Sequence, residues 1–455
     1  MKTMTRGFGW FAVPRMVLLG MVSLGLLAAE DAVLRKWTSS TGTTVEAKLI
    51  SKDATRVTLE RADGSPLVVP LAQLSKQDQA YLSGGAGAGA AADAGSPAVV
   101  IGGAVAGAAT GATTIAGIAA KPGEASEEIP CVADSKSSYF LYLPKAFNTG
   151  RSWPVMFIMD SSGGSAGSLE RYTPGAERLG MILAVSRQSQ NDKDISQAAV
   201  RSMVKDVYAR VPVIKSLSFA TGFSGGSREA YALAEGEKNI CGVLACASGP
   251  GIYPAGAQFR QAKLSHELIV CSLSGTNCFN RRETIAGHTR FNKATNRIIW
   301  FPAAHDWADA PLITEGMAHV YGYALLKNTD HSIAALRSAY AEAQLAWTKE
   351  QEAARPWTAW HWAEFLKKFP ATGTVPQQAG TLADRLAQDE KVKLAITADK
   401  AIAAFVAKFL SDGNTKADHT ADPKRVADAN KKAEAFSSLP HAEILKKLAE
   451  PSPGG

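Results

Sequence analysis

Residues 221–230 read "TGFSGGSREA", a serine set among three glycines, and how this stretch is read decides the fold. It follows the apolar run "SLSFA" (216–220) and precedes "REAYALAEGE" (228–237), which suits a helix. Gly222, Ser224 and Gly226 satisfy G-x-S-x-G. On a sharp strand-to-helix turn a serine crowds the residues two positions away, so small residues there relieve the clash while the hydroxyl projects outward. A plain glycine turn fits the same letters. The choice depends on whether the chain also supplies a base, oxyanion donors and an acid.

The surrounding segment has the matching rhythm. Candidate strands "SSYFLYLP", "PVMFIMD", "MILAVSR", "LSFATGF", "GVLACAS", "LIVCSLSG" and "NRIIWFPA" alternate with helix-compatible stretches, among them 196–210 and 228–235. Strand-like runs that are apolar throughout, such as "VMFIM", suit the interior of a parallel sheet, and the alternation predicts an α/β domain over 126–328. After an early strand, "VMFIMDSSGGSAG" places Ser161 and Ser162 where a backbone amide can join the amide of Gly225 in an oxyanion hole. "IIWFPAAHDWADAP" places His305 just beyond the last strong strand, the position a base requires; His266, His288 and His319 lack that placement.

The order "YFLYLPKAF", "PVMFIMDSSG", "RLGMILAVSRQSQND", "VKDVYARVPV", "SFATGFSGGSREAYALA", "CGVLACASGPG", "SGTNCFNR" and "FPAAHDW" resembles the α/β-hydrolase esterases related to polyhydroxybutyrate-depolymerase and feruloyl-esterase-like proteins. The resemblance implies a mostly parallel sheet with helices on both faces, Ser224 as nucleophile, His305 as base, a small-molecule or polymer ester as substrate and no cofactor. The family's acid lies in a G-x-x-D stretch, and here the corresponding piece is Gly275-Thr276-Asn277-Cys278, without a carboxylate. Three substitutes remain on the sequence: Glu283, Asp306 and Asp309. Asn277 is a neutral alternative for orienting the ring, and Cys278 is read as a structural thiol or disulfide partner. Two functions follow, a serine esterase or a catalytically impaired hydrolase-fold protein acting as an envelope-associated binding module.

The rest of the 455 residues surrounds this segment with different compositions. Basic residues followed by the apolar run from Met16 to Ala29 predict a secretory signal over 1–29, and hence an exported protein. The net charge of +7 falls to about +4 without the leader's three basic residues, too little to argue for nucleic acid. Export permits disulfides, but five cysteines leave at least one unpaired within the chain; with no CxxC pair and no clustered histidines, a metal site is not indicated.

Residues 33–82 alternate in "TVEAKLIS", "RVTLER" and "LVVP" between turn signals, which predicts a small β-barrel with Trp37 in its core. The order of Trp37, Gly42, "VTLERADG", "VPLAQLS" and "DQAYL" resembles the SLA1 homology domain 1 family, similar to an SH3-like barrel, and that resemblance implies a peptide or protein ligand. Residues 83–122, almost all small, read as a linker. Pro97 to Ala120 carries Gly103, Gly107 and Gly111 at GxxxG spacing, which leaves a membrane helix as the alternative, although its hydropathy is weak. If the stretch is a linker, no membrane contact is expected once the leader is cleaved. Residues 330–450 place apolar residues at three and four spacing and predict a helical region, in which Trp347, Trp357, Trp360 and Trp362 read as packing residues; 451–455 form a tail.

Overall fold

The structure, a computed structural model, describes residues 35–39, 44–52, 56–61, 65–75, 78–79, 113–191, 196–250, 267–290, 295–371, 373–411 and 420–452. The leader, residues 83–112 of the small-residue stretch and the end of the tail lie outside them. The chain divides into two units, Met1–Ser96 and Pro97–Gly455.

In the first unit, β1 (Arg35–Thr38), β2 (Thr44–Lys52), β3 (Arg56–Arg61) and β4 (Pro66–Pro70) form an antiparallel sheet in sequence order. A bridge between Ser39 and Leu74 brings the chain after β4 back to the end of β1, as a small barrel requires. Trp37, Ala47, Val57, Leu59 and Leu74 form its core, and the Trp37 indole N–H donates to Ala47 O at 3.0 Å, so Trp37 is a core residue. Asp78 ties the edge together, accepting from Arg35 at 2.6 Å, from the Thr38 N–H at 2.7 Å and from the Ser75 hydroxyl at 2.9 Å. Replacing Asp78 with alanine leaves those donors without their buried acceptor and is expected to cost about 1–3 kcal/mol. The check is loss of amide-exchange protection in β1 and β4.

The second unit opens with a hairpin, β5 (Thr113–Ile115) and β6 (Ile118–Ala120), inside the stretch expected to be linker. Its two-residue turn, Ala116 and Gly117, has positive φ at both positions, the geometry that matches strand twist. Ile115 and Ile118 anchor the hairpin in the core, and this β-structure excludes a helix there.

The main sheet comprises β7 (Ile129–Cys131), β8 (Asp134–Tyr142), β9 (Trp153–Asp160), β10 (Ile182–Ser186), β11 (Val213–Phe223), β12 (Ile240–Cys246), β13 (Ile269–Gly275) and β14 (Arg297–Phe301). All seven strands read from the sequence are present; only the short β7 was not anticipated. Their order is β7-β8-β10-β9-β11-β12-β13-β14, antiparallel at β7/β8 and β8/β10 and parallel elsewhere, an α/β-hydrolase sheet.

Alternate residues of the central strands enter two cores. On one face Met156, Ile158, Phe219 and Leu244 pack with α1 (Thr173–Leu179) and, further along the chain, with α5 (Ala310–Lys327). On the other, Val155, Phe157, Ala220 and Val243 pack with α2 (Ser196–Arg210) and α3 (Gly225–Gly236). Between β13 and β14 lies α4 (Arg281–Arg290).

Six α-helices follow among the described residues: α6 (Ala334–Gln351), α7 (Pro356–Lys367), α8 (Val375–Leu386), α9 (Glu390–Phe409), α10 (Pro423–Glu434) and α11 (Pro440–Ala449). They share cores with the sheet unit. Tyr340 and Trp362 extend the α5 side, while residues of α9, α10 and α11 cluster with Ile285 of α4 against Ile298 and Trp300 of β14. Glu315 of α5, 1% exposed, pairs with Arg297 of β14 at 3.0 Å and with Arg355 beside α7, a neutralised buried charge joining three elements. All five cysteines are free thiols. Among the described residues, no helix is long and apolar enough to cross a membrane.

Candidate active site

Strand β11 ends at Phe223 and α3 begins at Gly225, leaving Ser224 alone at the turn with φ 53° and ψ −115°. A serine held in this left-handed region is strained, and it persists only where its surroundings over-determine it. They do so here. The Ser224 N–H donates to Cys246 O at 2.9 Å, and the buried Ser227 hydroxyl lies 2.6 Å from Gly222 O while accepting the Cys246 N–H at 2.9 Å. A Cβ at Gly222 would come within 2.5 Å of both Gly226 O and Met159 O, and one at Gly226 would overlap Met159 O. The glycines two positions either side of the serine are thus a steric requirement.

His305 lies in the loop between β14 and α5, and its Nε2 is 2.8 Å from Ser224 Oγ. Its ring is flanked by Phe279, centroids 4.0 Å apart, and Phe223 at 4.9 Å; Phe223 in turn stacks on Trp307 at 4.5 Å, over which lies the Arg171 guanidinium. Burial, and then the Arg228 cation, hold the His305 imidazole below the ordinary histidine range, with Asp306 opposing. The ring is therefore neutral near pH 7, the state that can accept a proton.

The other ring nitrogen faces a thiol. Nδ1 of His305 is 3.1 Å from Cys278 Sγ, so a thiol occupies the position of the missing carboxylate. Of the two readings of Cys278 from the sequence, structural thiol or disulfide partner, the thiol is free and lies against the imidazole. Glu283 instead binds Arg228 through both oxygens, at 2.9 and 2.8 Å. Asp309 caps α5 by accepting the Leu312 N–H at 2.9 Å, Asp306 accepts the N–H of Trp307 at 2.7 Å, and Asn277 donates to Glu450 Oε2 at 2.8 Å. None of these four is the partner of His305 Nδ1. Burial pushes the Cys278 thiol up to about 11. It is neutral at pH 7.

With Ser224 donating to Nε2, the Nδ1–H points at Cys278 Sγ and the thiol proton faces Ala247 O, 3.5 Å away. Such a network selects the correct tautomer. It supplies no negative charge to an imidazolium.

Gly225 opens α3, so its amide lies at the helix N-terminus next to Ser224. Asp160 pairs in register with Phe223, so Ser161 and Ser224 are each the first residue past the end of their neighbouring strands. The Ser162 N–H is already given to Asp160 Oδ1 at 3.0 Å, which removes it as an oxyanion donor. Asn191 was not anticipated: its amide group packs so closely on Gly225 that a Cβ there would overlap Oδ1, and its own N–H donates to Ser161 O at 3.0 Å. Asn191 thus reaches both sides of the candidate oxyanion site, Gly225 through its side chain and Ser161 through its backbone. Nothing in a single exposed asparagine announces this; only the sheet brings residue 191 to the elbow.

Among the described residues, no cluster of His, Cys, Asp and Glu could hold a metal ion.

A search of curated proteins finds no match. Solved structures similar to the chain include a ferulic acid esterase (14% identity, TM-score 0.33, covering 43% of this chain and 99% of that one). Est1E from Butyrivibrio proteoclasticus gives 14% identity and a TM-score of 0.33, covering 43% and 96%. The esterase domain of a Rhodothermus marinus protein gives 8% and 0.34, covering 44% and 98%. Matches this distant say nothing of the substrate of this chain, whose sheet order stands by itself. Residues 28–88 match the family model SLA1 homology domain 1, so the chain carries that domain ahead of its α/β-hydrolase-fold unit.

Proposed function

We propose that this protein is an exported serine hydrolase that cleaves carboxylic esters through an acyl-enzyme on Ser224. The observation carrying this reading is the 2.8 Å contact between Ser224 Oγ and His305 Nε2 at a strained strand-to-helix turn. Ser224 Oγ attacks the ester carbonyl carbon and its proton passes to Nε2. The oxyanion forms beside the Gly225 N–H, with an amide of the Ser161 segment as its second donor. Collapse expels the alkoxide, which takes the proton from Nε2. Water then enters, gives a proton to the same nitrogen and attacks the acyl carbon; collapse releases the carboxylic acid and the Ser224 alkoxide, which takes the proton back from Nε2.

Cys278 orients the ring through Nδ1 without charge, so the site works as a serine–histidine dyad, slower than one with a carboxylate. That same neutral thiol favours the second reading, an impaired hydrolase fold serving as a binding module. In either case the SLA1 homology domain 1 segment is inferred to bind a peptide or protein.

A fluorophosphonate probe, with p-nitrophenyl acetate and butyrate hydrolysis alongside, separates the two. Labelling and turnover that vanish in Ser224→Ala support the esterase; an unlabelled, inert wild-type chain supports the binding module. The same assay reads pH dependence. Because the base must be neutral and its proton affinity is lowered, the acid limb of kcat/KM is expected below about 6.5, the ordinary histidine value, with a plateau through neutrality. A limb above that value would contradict a buried imidazole beside Arg228.

A further inference from the structure

The segment carrying Cys278 is gripped from two sides. On one side, the Thr276 and Asn277 N–H groups donate to Phe301 O at 3.0 Å and Ala303 O at 2.9 Å, the backbone leading directly to His305. On the other stands the C-terminal end of α11, far away in sequence. Asn277 Nδ2 donates to Glu450 Oε2 at 2.8 Å. The fully buried Arg281 donates to Glu450 O at 2.8 Å and also to Thr276 O. From α10, buried Arg425 donates to Ala449 O at 3.0 Å. Two buried cations thus bind the unsatisfied carbonyls at a helix C-terminus, where the helix dipole favours positive charge. The result is a rigid stop against which Asn277 rests.

We infer that Glu450 is a positioning residue for His305: it holds the Asn277 side chain, and through it the Cys278 segment, so that the thiol stays against Nδ1. This rests on Ser224 and His305 being nucleophile and base. Glu450 acts by geometry, and its amide analogue offers the same acceptor oxygen to Asn277. Its carboxylate is 44% exposed and pairs with nearby Lys447 at 3.1 Å, so replacing it leaves the buried arginine contacts to the backbone in place.

The test combines kinetics with a readout independent of turnover. In the full chain, Glu450→Ala is expected to lower kcat for p-nitrophenyl acetate about tenfold with little change in KM, since small misplacements of a catalytic group reduce rate steeply. Glu450→Gln is expected to retain the wild-type rate. In a Cys278→Ala background the Glu450→Ala effect should shrink, because the contact it preserves is gone. A side-chain NMR titration of His305, assigned with His305→Ala, should show its proton affinity rising in Glu450→Ala as water reaches the loosened ring, and unchanged in Glu450→Gln. Wild-type kinetics and titration in Glu450→Ala, additive effects in the cycle, or Gln behaving as Ala would each overturn the inference. If the chain has no Ser224-dependent activity, the hydrolase reading fails. The titration still decides whether Glu450 positions the ring.

Discussion

Cys278→Asp is expected to raise kcat for ester hydrolysis by about a hundredfold with KM little changed. The reasoning is electrostatic. A carboxylate on the far nitrogen of a catalytic histidine stabilises the imidazolium formed in the transition state, and losing it in other serine hydrolases lowers turnover by about 10⁴. Only part of that should return, because this site was not shaped around a carboxylate. The surroundings nonetheless suit an anion: besides His305 Nδ1, the Asn280 backbone N–H, the Ser274 hydroxyl and the Arg281 charge all favour negative charge at position 278. Burial, with the Glu283 charge as a smaller opposing influence, now outweighs them for the thiol. An aspartate, far more acidic to begin with, would be ionised near neutral pH. The new charge also stabilises protonated His305, so the acid limb of kcat/KM should move upward in the same variant. A folded Cys278→Asp protein with unchanged rate and unchanged acid limb would mean that Cys278 does not occupy the acid position.

His305→Ala is expected to lower kcat by about 10³, the usual contribution of a positioned general base and acid. Ser224 then has no acceptor for its proton, and the alkoxide leaves without one. The ring sits in a loop between Phe279 and Phe223, so its removal opens a slot between aromatic faces while both hydrophobic cores of the sheet stay intact. Added imidazole can enter such a slot, and partial rescue by imidazole is the accompanying expectation. Retained activity in this variant would place the base elsewhere.

How much of this was legible beforehand varies with the range of the interaction. Period-two and unbroken apolar runs marked the seven strands from β8 to β14 because each strand's environment is written in its own residues. The elbow was legible because Gly222 and Gly226 lie only four residues apart, close against each other and against Met159 O of the neighbouring strand, so small residues are required at both. His305 could be picked from position, as the histidine following the last strong strand. The acid could not be found by searching for carboxylates, since Glu283 is neutralised by Arg228 and Asp309 caps a helix. The spacing Gly275-Thr276-Asn277-Cys278 led to the residue that lies against Nδ1, a thiol where a carboxylate was sought. The hairpin at 113–120 was masked by its small-residue surroundings, where two isoleucines carry the packing. Glu450 lies 173 residues from Asn277, and no local pattern encodes a contact of that length.

Ser224 is the proposed nucleophile, and a second nucleophilic side chain, Cys278, lies on the same imidazole. Mass spectrometry of the full chain quenched early in its reaction with p-nitrophenyl acetate tests this most directly. The prediction is one acetyl group, mapped to Ser224, formed in the wild type and absent from Ser224→Ala. An acetyl group on Cys278, or no adduct together with no turnover, would contradict it.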